Sequence, residues 1–220
     1  MKSYKITLLP GFHFCLTVLD AFLLFTYLFF CILMLLIVLQ YIPPGTDTAF
    51  LGIKQEYIQM PIYLPAFYVH VFTAIFALPA GLTQFSKYIQ KKHKAFHRFN
   101  GKVYVAAVVL VGAPSGFIIG IYANGGISSQ IAFCLLSVLW FYFTVRAYSE
   151  ARRKNFIAHK KFMYRSFALT LSAITLRAWK YILVYLFHPQ PMDVYIIVAW
   201  LGWVLNLLIA EYIILKTIKK

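Results

Sequence analysis

VLDAFLLFTYLFFCILMLLIVLQYI, residues 18–42, decides the class of fold, because this uninterrupted apolar run contains a single charged residue, Asp20. A hydrocarbon core about 30 Å thick is crossed by about 20 helical residues, so the run is long enough to span a bilayer. It is also far longer than the apolar region of a cleavable signal peptide, and no small-residue cleavage site follows it. The sequence therefore predicts a signal-anchor helix.

The rest of the chain has the same apolar character. Hydrophobic residues make up 62% of the 220 residues and charged residues only 12%, whereas about a quarter of a soluble domain is charged. The first apolar run and five later ones predict six transmembrane helices. These are spans 1 to 6, at approximately 18–42, 63–85, 103–123, 130–149, 162–187 and 194–215. We therefore expect an all-α integral membrane protein with one transmembrane domain over residues 1–220.

The net charge of +15 is distributed unevenly along the chain. Lysines and arginines concentrate before span 1, after span 6 and in the two loops that join spans 2 and 3 and spans 4 and 5. The opposite loops carry Lys54 as their one basic residue, beside Asp47, Glu56 and Asp193. By the positive-inside rule, both termini and both basic loops face the cytoplasm. Topology and attraction to anionic lipids explain the charge, so nucleic acid is not an expected partner.

Each basic loop enters the next span through a histidine that a basic residue follows. These pairs are His97-Arg98 before span 3 and His159-Lys160 before span 5. Spans 2 and 3 form one hairpin, spans 4 and 5 form another of the same polarity, and the two histidines therefore lie at the same membrane depth. We expect spans 2 to 5 to form a central four-helix bundle, across which the two imidazoles face each other.

Two neutral imidazoles at matched depth are the axial ligands that a b-type haem requires. His97 and His159 are therefore the candidate ligands of haem iron, and Arg98, Lys102 and Lys160 are cations available to the propionates. The alternative is that histidines in a lysine-rich interfacial loop are simply solvated.

A second polar group lies nearer the outer side of the predicted bundle. His70 on span 2 and Arg177 on span 5 lie at similar depth, and Lys180 lies about one turn further out. An arginine inside a span costs at least a few kcal/mol on insertion scales, so Arg177 requires a partner or an aqueous cavity. These residues predict a substrate pocket. Equally, Arg177 and Lys180 could snorkel outward while His70 bonds a neighbouring carbonyl.

Three motifs resemble those of a bacterial family of predicted membrane proteins of unknown function, DUF2306. They are HRFNGKVY (97–104), HKKFMYRSFALT (159–170) and TLR (175–177), and the likeness covers about residues 65–185. More distantly, the chain is similar to transmembrane b-type cytochromes and ferric reductases. That likeness implies one haem b held by His97 and His159, with Arg98 and Tyr104 beside it. Span 4 has no histidine to partner His70, so a second haem is not expected.

Two functional hypotheses follow. The first is a single-haem electron-transfer component of a bacterial inner or plasma membrane, whose outer pocket of His70, Arg177 and Lys180 binds a quinol headgroup or another small acid. The second is a non-redox carrier, assembly factor or complex subunit, whose polar core binds a small anion or only packs helices. The sequence contains no serine-hydrolase elbow, zinc-protease motif or P-loop, and its three cysteines predict neither a disulfide framework nor a zinc site. Enzymatic activity, a protein partner and a homo-oligomer all stay open.

Overall fold

A computed structural model describes the backbone of residues 3–7 and 13–218 and the side chains of residues 21–218. A short hairpin of β1 (Ser3–Thr7) and antiparallel β2 (His13–Thr17) precedes the helical body. Two of the three cysteines, Cys31 and Cys134, are free thiols. The side chains of Cys15 and Asp20, and the last residues at both ends, lie outside the described part.

Eleven α-helices follow in the described chain. They are α1 (Val18–Leu39), α2 (Gln55–Ile58), α3 (Tyr63–Ala74), α4 (Ala77–Thr83), α5 (Lys87–Lys92), α6 (Lys94–Val105), α7 (Ala113–Ile121), α8 (Gly126–Arg152), α9 (Phe156–Thr170), α10 (Ser172–Phe187) and α11 (Pro191–Thr217). A 3-10 turn, Ala49–Ile53, precedes α2, and a π-helix, Ala106–Gly112, joins α6 to α7.

Within the described residues, five helical runs are long and apolar enough to cross a membrane, and the bent pair α9–α10 makes a sixth if it is one span. They correspond in order to the six predicted spans: α1, α3–α4, α6 through α7, α8, α9–α10 and α11. This confirms a helical, multi-pass membrane protein.

The basic segment before span 3 is helical, so its prediction as a loop was wrong. Span 3 begins at Lys94 instead of residue 103, and α5 ends at Lys92. Span 5 likewise begins at Phe156, where the Asn155 side chain accepts a hydrogen bond from the Ala158 N–H at 3.3 Å. Hydropathy detects only the apolar part of a helix, whereas charged side chains that reach water or headgroups allow the same helix to continue.

Two of the described spans are interrupted near a proline. Span 2 breaks between α3 and α4, because Pro79 has no N–H to bond the carbonyl of Ile75 and its ring crowds that carbonyl. Span 3 passes through its π-helix just before Pro114. A π-helical segment leaves backbone carbonyls available to other partners, and such segments are frequent at functional sites.

Span 5 bends by 42° at Leu171 without proline or glycine. Three hydroxyls around the bend hydrogen-bond to carbonyl oxygens of their own helix run, which weakens the regular backbone ladder. They are Thr170 to Ser166 at 3.1 Å, Ser172 to Leu169 at 2.6 Å, and Thr175 to Leu171 at 3.1 Å. This break was not predicted, because hydroxyl residues are also common in straight spans.

Spans 2, 3, 4, 5 and 6 together form the main core. Span 4 packs against spans 3 and 5, the α4 part of span 2 packs against α6 and α9, and span 6 packs against spans 4 and 5. Trp203 of span 6 is buried in the same cluster as Tyr104, Trp140 and Met163. The core therefore includes a fifth span, which the predicted four-helix bundle omitted. Span 1 lies outside this cluster and exposes most of its large apolar side chains, as expected for a surface in contact with lipid.

Candidate functional site

A closed chain of hydrogen bonds joins spans 3, 4 and 5 at the centre of the core. Tyr104 Oη lies 2.7 Å from both Ser166 Oγ and Thr170 Oγ1. Trp140 Nε1 lies 3.0 Å from Thr170 Oγ1. Thr144 Oγ1 lies 2.6 Å from Ser166 Oγ and 2.6 Å from the main-chain oxygen of Trp140. All five residues are buried.

The two ends of this chain have fixed roles, because an indole N–H only donates and a carbonyl oxygen only accepts. Trp140 Nε1 donates to Thr170, and the main-chain oxygen of Trp140 accepts from Thr144. The hydroxyls between the ends can each donate or accept, and the single hydrogen of Thr170 has both Tyr104 Oη and the main-chain oxygen of Ser166 within reach. The hydroxyl of Tyr104, predicted to lie beside a cofactor, is thus engaged with protein, and the chain holds three spans in register.

That register places the two candidate iron ligands on facing sides of spans 3 and 5. Tyr104 follows His97 by seven residues within α6, and Ser166 follows His159 by seven residues within α9. Seven residues make almost two turns, about 10 Å along the axis, and return to the same helix face. Because Tyr104 and Ser166 touch, His97 and His159 lie two turns nearer the basic segments, on the same faces of α6 and α9 as these two residues. Consistently, the two rings lie within electrostatic range of one another.

The two imidazoles differ in their hydrogen bonds. His159 Nδ1 lies 2.8 Å from the main-chain oxygen of Ala147, so Nδ1 donates and Nε2 keeps the free lone pair. His97 Nδ1 is buried and has no hydrogen-bond partner among the described residues. A buried polar atom without a partner costs about 1–3 kcal/mol. His97 is therefore an unsatisfied group at this end of the core.

Close packing between α6 and the end of span 2 fixes the position of His97. Gln84 Nε2 lies 3.3 Å from the main-chain oxygen of His97, and Asn100 Nδ2 lies 3.1 Å from Thr83 Oγ1. A Cβ at Gly101 would lie 3.1 Å from Gln84 Oε1, so the glycine permits this approach. The motif residues that follow His97 thus have a clear packing role.

Exposed cations surround this end of the bundle. Arg98, Lys102 and Lys160 are exposed, and within the part of the chain whose side chains are described none of them forms an ion pair with a carboxylate. Among those residues, no group of three or more His, Cys, Asp or Glu could hold a metal ion. Haem iron needs only two protein ligands because the porphyrin supplies the other four.

His70 contacts the interrupted part of span 3. Its Nδ1 lies 3.0 Å from the main-chain oxygen of Gly112 and 3.1 Å from Ser115 Oγ. A Cβ at Gly116 would approach the His70 ring to 3.1 Å, so the glycine makes room for the imidazole between the spans. This carbonyl contact is the packing role that the sequence left as the alternative for His70.

Arg177 lies near His70 and, among the residues with described side chains, forms no ion pair with a carboxylate. Its Nη1 lies 2.7 Å from the main-chain oxygen of Ala173, one turn back in α10. Tyr41, at the end of span 1, is also within electrostatic range. Of the three residues of the predicted outer pocket, His70 and Arg177 lie within electrostatic range of each other, and Lys180 is exposed about one turn beyond Arg177.

Lys54 is a buried cation that the sequence did not suggest as a site residue. Its side chain is only 1% exposed, and its Nζ contacts the main-chain oxygen of Tyr122 and Oδ1 of Asn124. The ring centroid of Tyr57 lies 5.0 Å from Nζ. Burial lowers the pKa of Lys54 to about 8. In the sequence Lys54 looks like an ordinary loop lysine, and the aromatic residues around it were the one available signal.

An ion pair between Arg165 and Glu211 joins spans 5 and 6. The Arg165 Nε to Glu211 Oε1 distance is 2.5 Å, and Nη2 to Oε2 is 2.8 Å, so the pair is bidentate. The Arg165 guanidinium also lies 5.5 Å from the ring centroid of Phe162. Sequence patterns could not pair residues that are 46 positions apart.

Apolar helical runs and a core of paired polar side chains define a multi-pass helical membrane protein. The model of the family described as "Predicted membrane protein (DUF2306)" matches residues 67–214, and the chain belongs to this family. The resemblance predicted from the three motifs is thereby confirmed. No curated protein and no solved structure matches the chain. The more distant likeness to cytochromes and ferric reductases stays a prediction.

Proposed function

We propose that this protein is a membrane cytochrome, which binds one b-type haem between His97 and His159 and transfers electrons. The observation that carries the proposal is the shared register, since the same seven-residue spacing joins each histidine to the contact between Tyr104 and Ser166. His159 offers Nε2 as a ligand, and His97 has a buried Nδ1 without a hydrogen-bond partner among the described residues. When bound, haem supplies a one-electron carrier.

The surrounding residues have separate roles in this proposal. The main-chain oxygen of Ala147 orients the His159 ring, as carbonyl groups commonly do for metal-binding histidines. Arg98, Lys102 and Lys160 pair with the propionates at the basic end. Tyr104 positions the two helices through its hydroxyl and does not contact the iron.

The outer pair of His70 and Arg177, with Lys180 nearby, binds the acidic group of a small substrate in this proposal. An anion would supply the countercharge that no described carboxylate gives to Arg177. The distribution of lysine and arginine supports a cytoplasmic location for both termini and both basic segments, in a bacterial inner membrane whose anionic lipids contact them.

An optical spectrum tests the cytochrome proposal. Protein purified in detergent from haem-supplied cells is expected to show a Soret band and, after dithionite reduction, a sharp alpha band. His97→Ala and His159→Ala should each weaken both bands. His93→Ala is the matched control, because His93 is exposed and lies one turn before His97. A featureless spectrum from folded, haem-replete protein would overturn the proposal.

Anion transport by a colourless carrier is the second candidate. It is supported by the lack of a described carboxylate partner for Arg177 and by the interruptions of spans 2, 3 and 5, since broken helices line the central binding sites of many transporters. This function predicts binding of a small organic anion that Arg177→Gln abolishes and His97→Ala leaves unchanged. Equal binding by Arg177→Gln would exclude it.

A further inference from the structure

A groove of about 360 Å³ opens between spans 2, 5 and 6, on the half of the molecule near the basic segments. All of its lining residues except Phe85, which follows the end of α4, belong to candidate spans, so the groove lies at membrane depth. Aromatic rings line one wall, where the ring centroid of Phe85 lies 5.0 Å from that of Tyr164 and 5.1 Å from that of Phe167. The lining includes no charged side chain. A ligand that enters this groove must therefore be soluble in the membrane.

Asn206 supplies a hydrogen-bonding atom in this apolar lining. Its Nδ2 lies 3.1 Å from the main-chain oxygen of Ala168 and 2.9 Å from Thr175 Oγ1, so both amide hydrogens are used. The main-chain oxygen can only accept, and this establishes which end of the amide is nitrogen. Asn206 Oδ1 has no hydrogen-bond partner among the described residues, and it is not among the fully buried unpartnered atoms. The groove therefore offers an accessible acceptor in hydrocarbon.

We propose that this groove binds the headgroup of a lipid-soluble quinol, whose hydroxyl donates to Asn206 Oδ1. An acceptor without a donor is unfavourable inside a membrane, and the acyl chains of phospholipids have no O–H to offer. A flat ring suits the wall formed by Phe85, Tyr164 and Phe167, and the volume is in the usual range for small-molecule sites.

This assignment gives the two proposed ligands separate sites. Arg177 favours an anion in the outer pair, whereas the groove has no charged group and favours a neutral ring. Because the donor lies on the ligand, the groove should prefer a quinol to the corresponding quinone, which has no hydroxyl. The quinol site does not require haem.

Equilibrium binding of decylubiquinol to the full chain in nanodiscs of synthetic phosphatidylcholine tests the proposal under anaerobic conditions. We expect saturable binding at least tenfold tighter for the quinol than for decylubiquinone or the quinol dimethyl ether. Ile209→Trp fills the groove and should abolish binding. Leu208→Trp places the same side chain at a position 62% exposed outside the groove lining, and should bind as the wild type does.

The ether comparison uses the wild-type protein, so it decides the hydrogen-bond assignment even if Ile209→Trp fails to fold. Equal affinity for quinol and ether would overturn that assignment, and binding that persists in folded Ile209→Trp would overturn the groove as the site. Because the quinol site does not require haem, His97→Ala should still bind the quinol. The Soret band and quinol binding of the wild-type protein then separate the two proposals. A Soret band without quinol binding refutes the groove alone, whereas quinol binding by a colourless wild-type protein refutes the cytochrome alone.

Discussion

Lys54 illustrates how a single charged residue is held in an apolar protein without an ion pair to a carboxylate among the described residues. Its ammonium meets the main-chain oxygen of Tyr122 at the end of span 3, where the helix dipole favours a positive charge. Asn124 and the ring of Tyr57 complete the surroundings. Burial nevertheless disfavours the charge, and this gives the residue a measurable pH dependence.

The lowered pKa of Lys54 predicts a change of stability between pH 8 and 10.5. In that range unfolded Lys54 keeps the proton, since its ordinary pKa is 10.5, whereas folded Lys54 with a pKa of about 8 has lost it. The unfolded state then binds more protons, so the free energy of unfolding rises with pH. Below pH 8 both states are protonated and this contribution is constant.

Thermal unfolding of the wild type and Lys54→Met in detergent, at pH 7 and pH 9.5, measures this effect. The difference between the two proteins isolates Lys54 from the tyrosines, which titrate in the same range. We expect the wild type to gain stability relative to the variant on going to pH 9.5. Parallel pH profiles would contradict the assigned pKa.

Tyr104→Phe should break the closed hydrogen-bond chain of the core. Ser166 and Thr170 each lose one hydrogen-bond partner while Thr144 and Trp140 remain, and a typical buried hydrogen bond contributes about 0.5–1.5 kcal/mol. We expect a lower melting temperature and, in the cytochrome proposal, a broadened alpha band. Tyr148→Phe is the control, because Tyr148 is 42% exposed. An unchanged melting temperature for Tyr104→Phe would show that the chain does not stabilise the core.

At the scale of helices, a side chain of a neighbouring span bonds a carbonyl oxygen close to each interruption. Water is scarce in the membrane interior, so backbone groups released by a break must find partners in the protein. The pairs are Tyr27 with Leu78 at 2.7 Å, His70 with Gly112 at 3.0 Å, and Asn206 with Ala168 at 3.1 Å. Each break is thereby joined to the next helix, which explains how bent spans remain in a defined position.

Gly81 lies where span 2 packs tightly against spans 3 and 5. A Cβ there would lie 2.6 Å from the Phe167 ring and 2.9 Å from the Tyr104 ring. Gly81→Ala should therefore destabilise the protein by about 1–3 kcal/mol through overpacking, measured as a lower melting temperature.

Two further variants test the cause of this loss. Gly101→Ala should cost less, since the atom it approaches belongs to the flexible end of Gln84. Phe167→Leu should restore part of the stability of Gly81→Ala. If the double variant is no more stable than Gly81→Ala alone, the ring is not the obstacle.

The whole molecule combines a basic end with an apolar belt. Its strongest large-scale signal is the distribution of lysine and arginine, which predicts that the segments between spans 2 and 3 and between spans 4 and 5 share one side of the membrane.

Cysteine labelling in a background without Cys15, Cys31 and Cys134 tests this topology. A membrane-impermeant maleimide added to intact cells should label Gln59→Cys and leave Lys154→Cys unlabelled until the cells are opened. Both positions are exposed, so accessibility to solvent is matched. The reverse pattern would invert the topology and place His97 and His159 on the outer side.

The sequence by itself determined the class of protein, the number of candidate spans and the family. Long apolar runs and charge asymmetry are local properties, and the motifs around His97 and His159 are contiguous. The early start of span 3 was missed, because hydropathy detects only apolar residues, whereas polar residues can continue the same helix beyond the membrane.

Only the tertiary structure decided which polar side chains meet. Residues that are far apart in the sequence or on different helices meet in the hydrogen-bond chain from Trp140 to Thr144 and in the pair of Arg165 and Glu211. The same is true of the residues that bury Lys54. The rotation and depth of each span set these contacts, and both depend on how glycines and kinks let several helices pack at once. A periodic pattern along one helix contains no information about the face that its neighbour presents.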